Sequence, residues 1–245
     1  MKNQKLDYQL NQREIIILEF LTKVLYCQEK HLIKLLNLGN KNAKDTVYRI
    51  ILKLAQQDFV KKVGLIRGDD YFILINKKAA KLFDIKPPKD LILNTLKHDM
   101  LVIDLYLKLS LVDSIAEIKT DKELKRQFGM RTLNNKINFP DLLIENNIAI
   151  EVEISDKGET RLKEIINSYI LNNQINEVHY YIKSLALARK ILEICNLNNK
   201  FKIFHFVDKI EESNQLNNID IPGLENKVFK APKFGFDLEA FLKSE

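Results

Sequence analysis

Cysteine is almost missing from this chain of 245 residues, which has only Cys27 and Cys195. They stand far apart, without a Cys-x-x-Cys spacing, which excludes a disulfide scaffold and a zinc ribbon. The spacing predicts two ordinary thiols, each in a helix, in a reducing compartment. Long apolar runs are missing too: the stretches near 15–21 and 101–112 are broken by Glu19, Asp104 and Lys108, so no membrane span or membrane partner is expected. The opening Met1-Lys2-Asn3-Gln4-Lys5-Leu6-Asp7 is too polar for a signal peptide, and a cytoplasmic protein is the expectation. Five prolines, seven glycines, no internal repeat and no low-complexity tract exclude a fibrous chain. Nor does one sign of charge dominate enough to keep the chain unfolded, with 46% hydrophobic residues and a net charge of +6. At this length two medium domains can each bury a core.

What is present is unevenly placed. Through Asp90 there are 18 Lys and Arg against 10 Asp and Glu, a net +8, which leaves −2 for the remainder. A basic excess confined to one end marks a polyanion-binding module attached to a near-neutral partner.

Between 11 and 26 the apolar residues Ile15, Ile16, Ile17, Leu18, Phe20, Leu21, Val24 and Leu25 form a broad helical stripe. A second helix runs over 28–38 and ends at Gly39, and a third follows over 40–54. Strands over 59–66 and 71–75 bracket the turn Arg67-Gly68-Asp69-Asp70. Three helices and a two-stranded wing resemble a winged helix-turn-helix over residues 10–83. In that arrangement the third helix lies in the major groove. Its inner stripe is Val47, Ile50, Ile51 and Leu54, which leaves Lys41, Asn42, Lys44, Asp45, Tyr48 and Arg49 for bases and phosphates. Lys61, Lys62 and Arg67 of the wing suit backbone contacts. A winged helix used for protein contacts is the alternative.

A short helix over 77–83 and the segment Ile85-Lys86-Pro87-Pro88-Lys89-Asp90 close the first domain, expected over 1–86, with 87–245 as the second. A long joining helix over 90–110, capped by Asp90, is apolar nearly all round and is expected to lie between the domains. His98 within it reads as structural. A strand over 114–119 precedes a helix whose start carries a capping box, Thr120 with Glu123. The stretch 128–138 reads as a loop in which Arg131 or Lys136 could touch phosphate.

Chemistry concentrates in Asn138-Phe139-Pro140-Asp141-Leu142-Leu143-Ile144-Glu145-Asn146-Asn147-Ile148-Ala149-Ile150-Glu151-Val152-Glu153-Ile154, two short strands joined at an Asn-Asn turn. Alternation puts Ala149, Glu151, Glu153 and Ser155 on one face of the second strand. The hairpin brings Asp141 near the two glutamates. Like charges so close call for a cation, and three carboxylates at strand ends suit Mg2+ or Mn2+, which can activate water and neutralise a phosphodiester. The bland alternative has Glu151 and Glu153 on a solvated face, paired with Lys119 or Arg161.

Pro140-Asp141 and Glu151-Val152-Glu153 resemble the Pro-Asp…(Asp/Glu)-x-Lys signature of restriction-endonuclease-like nucleases, with Glu153 where the family usually has Lys. Lys157, at the start of the next helix, is the candidate for a displaced catalytic lysine. Glu123 occupies the place where many such domains supply an extra acid. A strand over 177–182, a helix over 185–195 and a strand over 201–207 complete an α/β sheet, with a peripheral strand and helix over 234–242. The expected fold class is therefore α+β and α/β, an N-terminal winged helix-turn-helix followed by a restriction-endonuclease-like mixed-sheet domain.

The order of parts, from the winged helix through Phe-Pro-Asp, Ile-Glu-Val-Glu, Lys157 and Tyr180 to Ile182, resembles mobilisation proteins of the MobC relaxase type and the related replication-relaxation family of plasmids. That resemblance implies binding to double-stranded DNA at a plasmid origin and metal-dependent nicking with water as nucleophile. Asp141, Glu151 and Glu153 would hold the metal, assisted by Glu123. The chain lacks the His-apolar-His cluster of the commoner tyrosine relaxases. A homodimer and mobilisation or replication proteins are the further partners it allows. A non-catalytic DNA-binding accessory or replication regulator, with the second domain as a docking surface, is the alternative reading, and a transcription repressor the third.

Overall fold

A computed structural model describes residues 10–39, 41–64, 71–112, 114–128, 138–195 and 198–205. Among the described residues eight helices and two sheets make a mixed α+β chain, and no helix is long and apolar enough to cross a membrane. The chain divides into two compact units, Met1–Leu107 and Lys108–Glu245.

The first unit begins with α1 (Gln12–Val24), whose start is fixed by a capping box: the Asn11 side chain accepts from the Glu14 N–H and the Glu14 carboxylate accepts from the Asn11 N–H. Glu14 is 1% exposed and also meets Lys53 Nζ at 2.7 Å, which ties the first turn of α1 to α3. After Leu25, at φ 69°, comes a strand the periodicity does not predict, β1 (Tyr26–Gln28). Three residues are too few to show an alternation, and Cys27, expected in a helix, lies buried in this strand.

Helix α2 (Glu29–Leu35) is followed by a turn whose left-handed residue is Asn37, at φ 49°, rather than Gly39. Helix α3 (Ala43–Gln56) buries Val47, Ile51 and Leu54 and packs on α2 and on β2 (Val60–Gly64). With β3 (Tyr71–Ile75) these strands form an antiparallel sheet in the order β1-β3-β2. The turn with Arg67 lies outside the described residues.

After α4 (Lys77–Leu82) comes α5 (Leu93–Leu109), the expected joining helix. Most of it belongs to the first unit, so the division falls at residues 107 and 108 instead of at the proline pair. The reason is side-chain chemistry. Asp104 gathers Lys30, His31 and Lys34 from α2, Tyr26 donates to Asp99, and Lys23 donates to the Tyr106 hydroxyl at 3.1 Å. The lysines and the histidine hold the Asp104 carboxyl far below the usual carboxylate range against the opposing effect of burial.

The second unit runs β4 (Ile118–Thr120), α6 (Asp121–Gln127), β5 (Leu142–Ile144), β6 (Ile148–Glu153), α7 (Glu159–Leu171), β7 (Glu177–Ile182), α8 (Leu185–Cys195) and β8 (Phe201–His205). Its sheet follows chain order, antiparallel from β4 to β6 and parallel from β6 to β8. Right-handed crossovers through helices are the usual way to join parallel neighbours, and α7 and α8 occupy those places. Leu162, Ile166, Ile191 and Leu192 from these helices close a core over Ala149, Val178, Tyr180 and Ile182. Residues 129–137, with Arg131 and Lys136, and residues 206–245, with the expected peripheral strand and helix, lie outside the described residues.

The β5–β6 hairpin turns through Glu145, Asn146 and Asn147, with the left-handed residues Glu145 (φ 49°) and Asn146 (φ 63°) one step earlier than an Asn-Asn turn would place them. The β4 segment pins this turn. Glu117 accepts from the Glu145 N–H, Glu145 accepts from the Ala116 N–H, and the Asn146 side chain bridges Glu117 and Lys119. Asparagine tolerates this conformation and a β-branched residue does not. Asn146→Val is expected to cost about 1–2 kcal/mol in urea unfolding followed by circular dichroism, and Asn146→Gly to stay within about 0.5 kcal/mol of the parent.

Candidate functional site

The hairpin places its acids under α7. Strand β6 pairs parallel with β7 in the register Glu151 with Tyr180 and Glu153 with Ile182, so both glutamates share the face that carries Ala149, Tyr180 and Ile182 in the core. They are 3% and 2% exposed, which removes the solvated-face alternative. Lys119, one suggested partner, instead pairs with Glu117, and Arg161 is exposed.

Asp141 enters from the start of β5. Its Oδ2 accepts from the Val152 N–H at 2.8 Å, which locks the carboxylate between the two glutamate positions of β6. Pro140 just before it is buried, and the Asp141 carbonyl accepts from the Asp121 N–H at the head of α6.

Glu151 is held from the opposite side. The Tyr169 hydroxyl, from α7, donates to Glu151 Oε1, and Asn138 Nδ2 approaches the same oxygen at 3.4 Å. Burial, and then the Asp141 charge, push the Glu151 carboxyl up to about 8. The same surroundings push the Tyr169 phenol far above its ordinary range. Tyr169 was not picked out from the sequence. Its place on the inner stripe of α7 with Leu162, Ile165 and Ile166 makes it look like core, and only the β6 register reveals its polar partner.

Glu153 meets Lys157 Nζ at 2.5 Å, and the lysine side chain is 32% exposed. Burial works against its charge, but Glu153 first, then Glu151 and Asp141, hold the ammonium above its ordinary value. Lys157 lies in the connection before Gly158 (φ 82°), the left-handed residue that opens α7 and lets the chain turn back over the strand end. Among the described residues the cluster brings together three acids and one lysine.

Whether the cluster fits a divalent ion turns on how its carboxylates are already held. Among the described residues no group of three or more His, Cys, Asp and Glu side chains is placed to hold a metal. Glu153 faces Lys157, and Glu123 caps its own helix, accepting from the Thr120 N–H at 2.9 Å and the Thr120 hydroxyl at 3.2 Å. Half-buried Asp141 stands beside the buried Glu151, where its charge adds to the effect of burial. Beside them the Tyr180 hydroxyl is fully buried and, among the described residues, has no hydrogen-bond partner. An ion of the Mg2+ kind, which one or two carboxylates can hold while water or phosphate completes its shell, would take Asp141 and Glu151 as that pair.

In the first unit, Lys41, Asn42, Lys44, Tyr48 and Arg49 are all exposed at the start and along the outer face of α3. Lys61 and Lys62 are exposed on β2, where Lys62 lies against the rings of Tyr48 and Tyr71.

Compared with protein-family models, with curated proteins and with solved structures, the chain matches none.

Because burial raises Glu151, the folded chain keeps a proton that the unfolded chain releases. Its cost to stability is absent below about 4.5, grows as pH rises, and is complete above about 8. Urea unfolding of Glu151→Gln against the parent, without added metal, is expected to give equal stabilities near the lower of these pH values. A gap of a few kcal/mol in favour of Gln should open toward the upper one.

Proposed function

We propose that the protein is a DNA-binding, divalent-metal-dependent endonuclease that nicks DNA at the origin of a plasmid or other mobile element. The observation that carries this reading is the meeting of buried Glu151 and Glu153 with half-buried Asp141 and partly exposed Lys157 at one end of a hairpin in a mixed sheet. Burying two carboxylates beside a third costs several kcal/mol of solvation unless they are protonated, paired or joined by an ion, and groups perturbed in this way concentrate at functional sites.

In this reading Asp141 and Glu151 hold Mg2+ or Mn2+. When bound, such an ion makes a hydroxide available near neutral pH and neutralises charge on the phosphate. The chain's own residues do the rest. The Val152 N–H fixes the aim of Asp141, and the Tyr169 hydroxyl fixes that of Glu151. The Lys157 ammonium, kept positive by Glu153, is the cation that meets the charge building on the attacked phosphate, in place of the motif lysine. The mixed sheet, with its antiparallel hairpin followed by two parallel strands, supports a restriction-endonuclease-like second domain. Helix α1, strand β1, helices α2 and α3 and the β2–β3 pair support a winged helix-turn-helix in the first. The basic excess through Asp90 supports DNA as its ligand.

The Glu153–Lys157 pair favours a second reading, a non-catalytic DNA-binding accessory or replication regulator. A lysine that neutralises one acid leaves less demand for a metal.

Supercoiled origin-bearing plasmid incubated with the full chain and Mg2+ or Mn2+ separates the two. The endonuclease reading expects conversion to the open circle, lowered at least about 100-fold by Asp141→Ala, Glu151→Gln or Lys157→Met. Lys44→Glu/Arg49→Glu is expected to weaken DNA binding in a salt-dependent manner. Plasmid left supercoiled by a chain that still binds DNA, or nicking undiminished in Asp141→Ala, overturns the endonuclease reading and leaves the regulator.

A further inference from the structure

Lysines on a wing are ordinarily assigned to phosphate. Lys62 is placed otherwise. Its ammonium lies 4.0 Å from the centroid of the Tyr71 ring and 4.9 Å from that of Tyr48, so that one cation is bracketed by two aromatic rings.

The ladder explains the arrangement. In the β2–β3 register Lys62 lies opposite Ile73 and Gly64 lies opposite Tyr71, so Lys62 and Tyr71 are diagonal neighbours on one face of the sheet. Gly64 has no side chain to compete for the ring. Tyr71 is anchored in turn, since its hydroxyl donates to Glu29 Oε1 of α2 at 3.0 Å. A column of alternating character therefore runs from the Glu29 carboxylate through the Tyr71 phenol and the Lys62 ammonium to the Tyr48 ring, linking α2, β3, β2 and α3. Tyr48 is its outer end. It is 46% exposed, one turn beyond Lys44 and adjacent to Arg49 on the outward face of α3.

We propose that Lys62 is a positioning residue that presents the Tyr48 ring to base edges of double-stranded DNA, and that Tyr48 determines sequence preference while Lys61 serves the phosphates. A phenol held in this way offers its ring edge to a thymine methyl and its hydroxyl to a donor or acceptor in the major groove. The inference rests on the DNA-binding part of the proposed function and is independent of the metal chemistry.

The test compares affinity and its salt dependence for the full chain and its variants on two duplexes: one enriched by the parent protein from a randomised library, and a scrambled duplex of the same composition. A lysine on phosphate contributes about 0.9 to the slope of log affinity against log salt, so its removal lowers the slope by about 1 on both duplexes. A positioning lysine leaves the slope unchanged. Its loss lowers the preference for the enriched duplex by about two- to five-fold, the size of a lost exposed cation–π contact. Lys62→Met is expected to behave in the second way, Lys62→Arg to restore the preference, and Lys61→Met to lower the slope. Tyr71→Leu, which alters the column away from its exposed end, is expected to reproduce the loss of preference with the slope intact. A slope lowered by about 1 in Lys62→Met with preference retained overturns the proposal, as does Tyr71→Leu with full preference. Binding to both duplexes with no enrichment removes the base-reading role while leaving a DNA-binding protein. No binding to either duplex overturns the DNA reading itself, and this proposal with it.

Discussion

A buried glutamate beside a second acid is the constraint on which the second unit depends. Glu151 lies in the middle of a sheet, shut off from water, with the Asp141 charge close by and the Tyr169 hydroxyl donating to it. An isolated carboxylate in such a place loses its charge or acquires a counterion. Much of the surrounding structure reads as a means of keeping the carboxylates aimed at one another. The Val152 N–H holds Asp141, the left-handed turn at Glu145 and Asn146 sets the hairpin register, and the β4 segment fastens that turn. Lys200 donates to the carbonyls of Tyr169 and Asn172 at the C-terminal end of α7, which secures the helix that brings Tyr169 over Glu151.

The first unit uses charge differently. There buried and half-buried ions are matched: Glu14 by Lys53, and Asp104 by Lys30 and Lys34. These pairs join helices distant in sequence, and they put most of α5 into this unit. The lysines and arginine of the α3 face are left outward, where a polyanion can meet them. In the second unit the acids meet inside, where burial raises Glu151 and Lys157 pairs with Glu153. That contrast underlies the proposed division of labour, with DNA held by one unit and cut by the other.

How much of this was legible in the sequence follows from the range of the interactions. Local signals were readable. The Thr120–Glu123 capping box, the strand alternation that pairs Glu151 with Glu153, and the inner stripe of α3 each depend on residues a few positions apart. Asp141 beside the glutamates was readable as well, because a short hairpin leaves little freedom in register. The Tyr169 contact was not, since it depends on how α7 crosses β6. Nor was the commitment of Glu153 to Lys157, because 154–157 lie in neither a helix nor a strand whose period would bring residues four apart together. Strand β1 was hidden by its length. The position of the hairpin turn was misread by one residue because two asparagines drew attention from Glu145, a less usual left-handed residue held there by its own hydrogen bonds.

The central claim is that Asp141 and Glu151 form the seat of a divalent ion. Isothermal titration of Mn2+ into the full chain, in two buffers of different ionisation heat below pH 8, tests it most directly. The account predicts saturable binding of one ion per chain with release of a proton as Glu151 ionises, and loss of that binding in Asp141→Asn and in Glu151→Gln. A chain that takes up no Mn2+, or whose uptake and proton release survive Glu151→Gln, would contradict it.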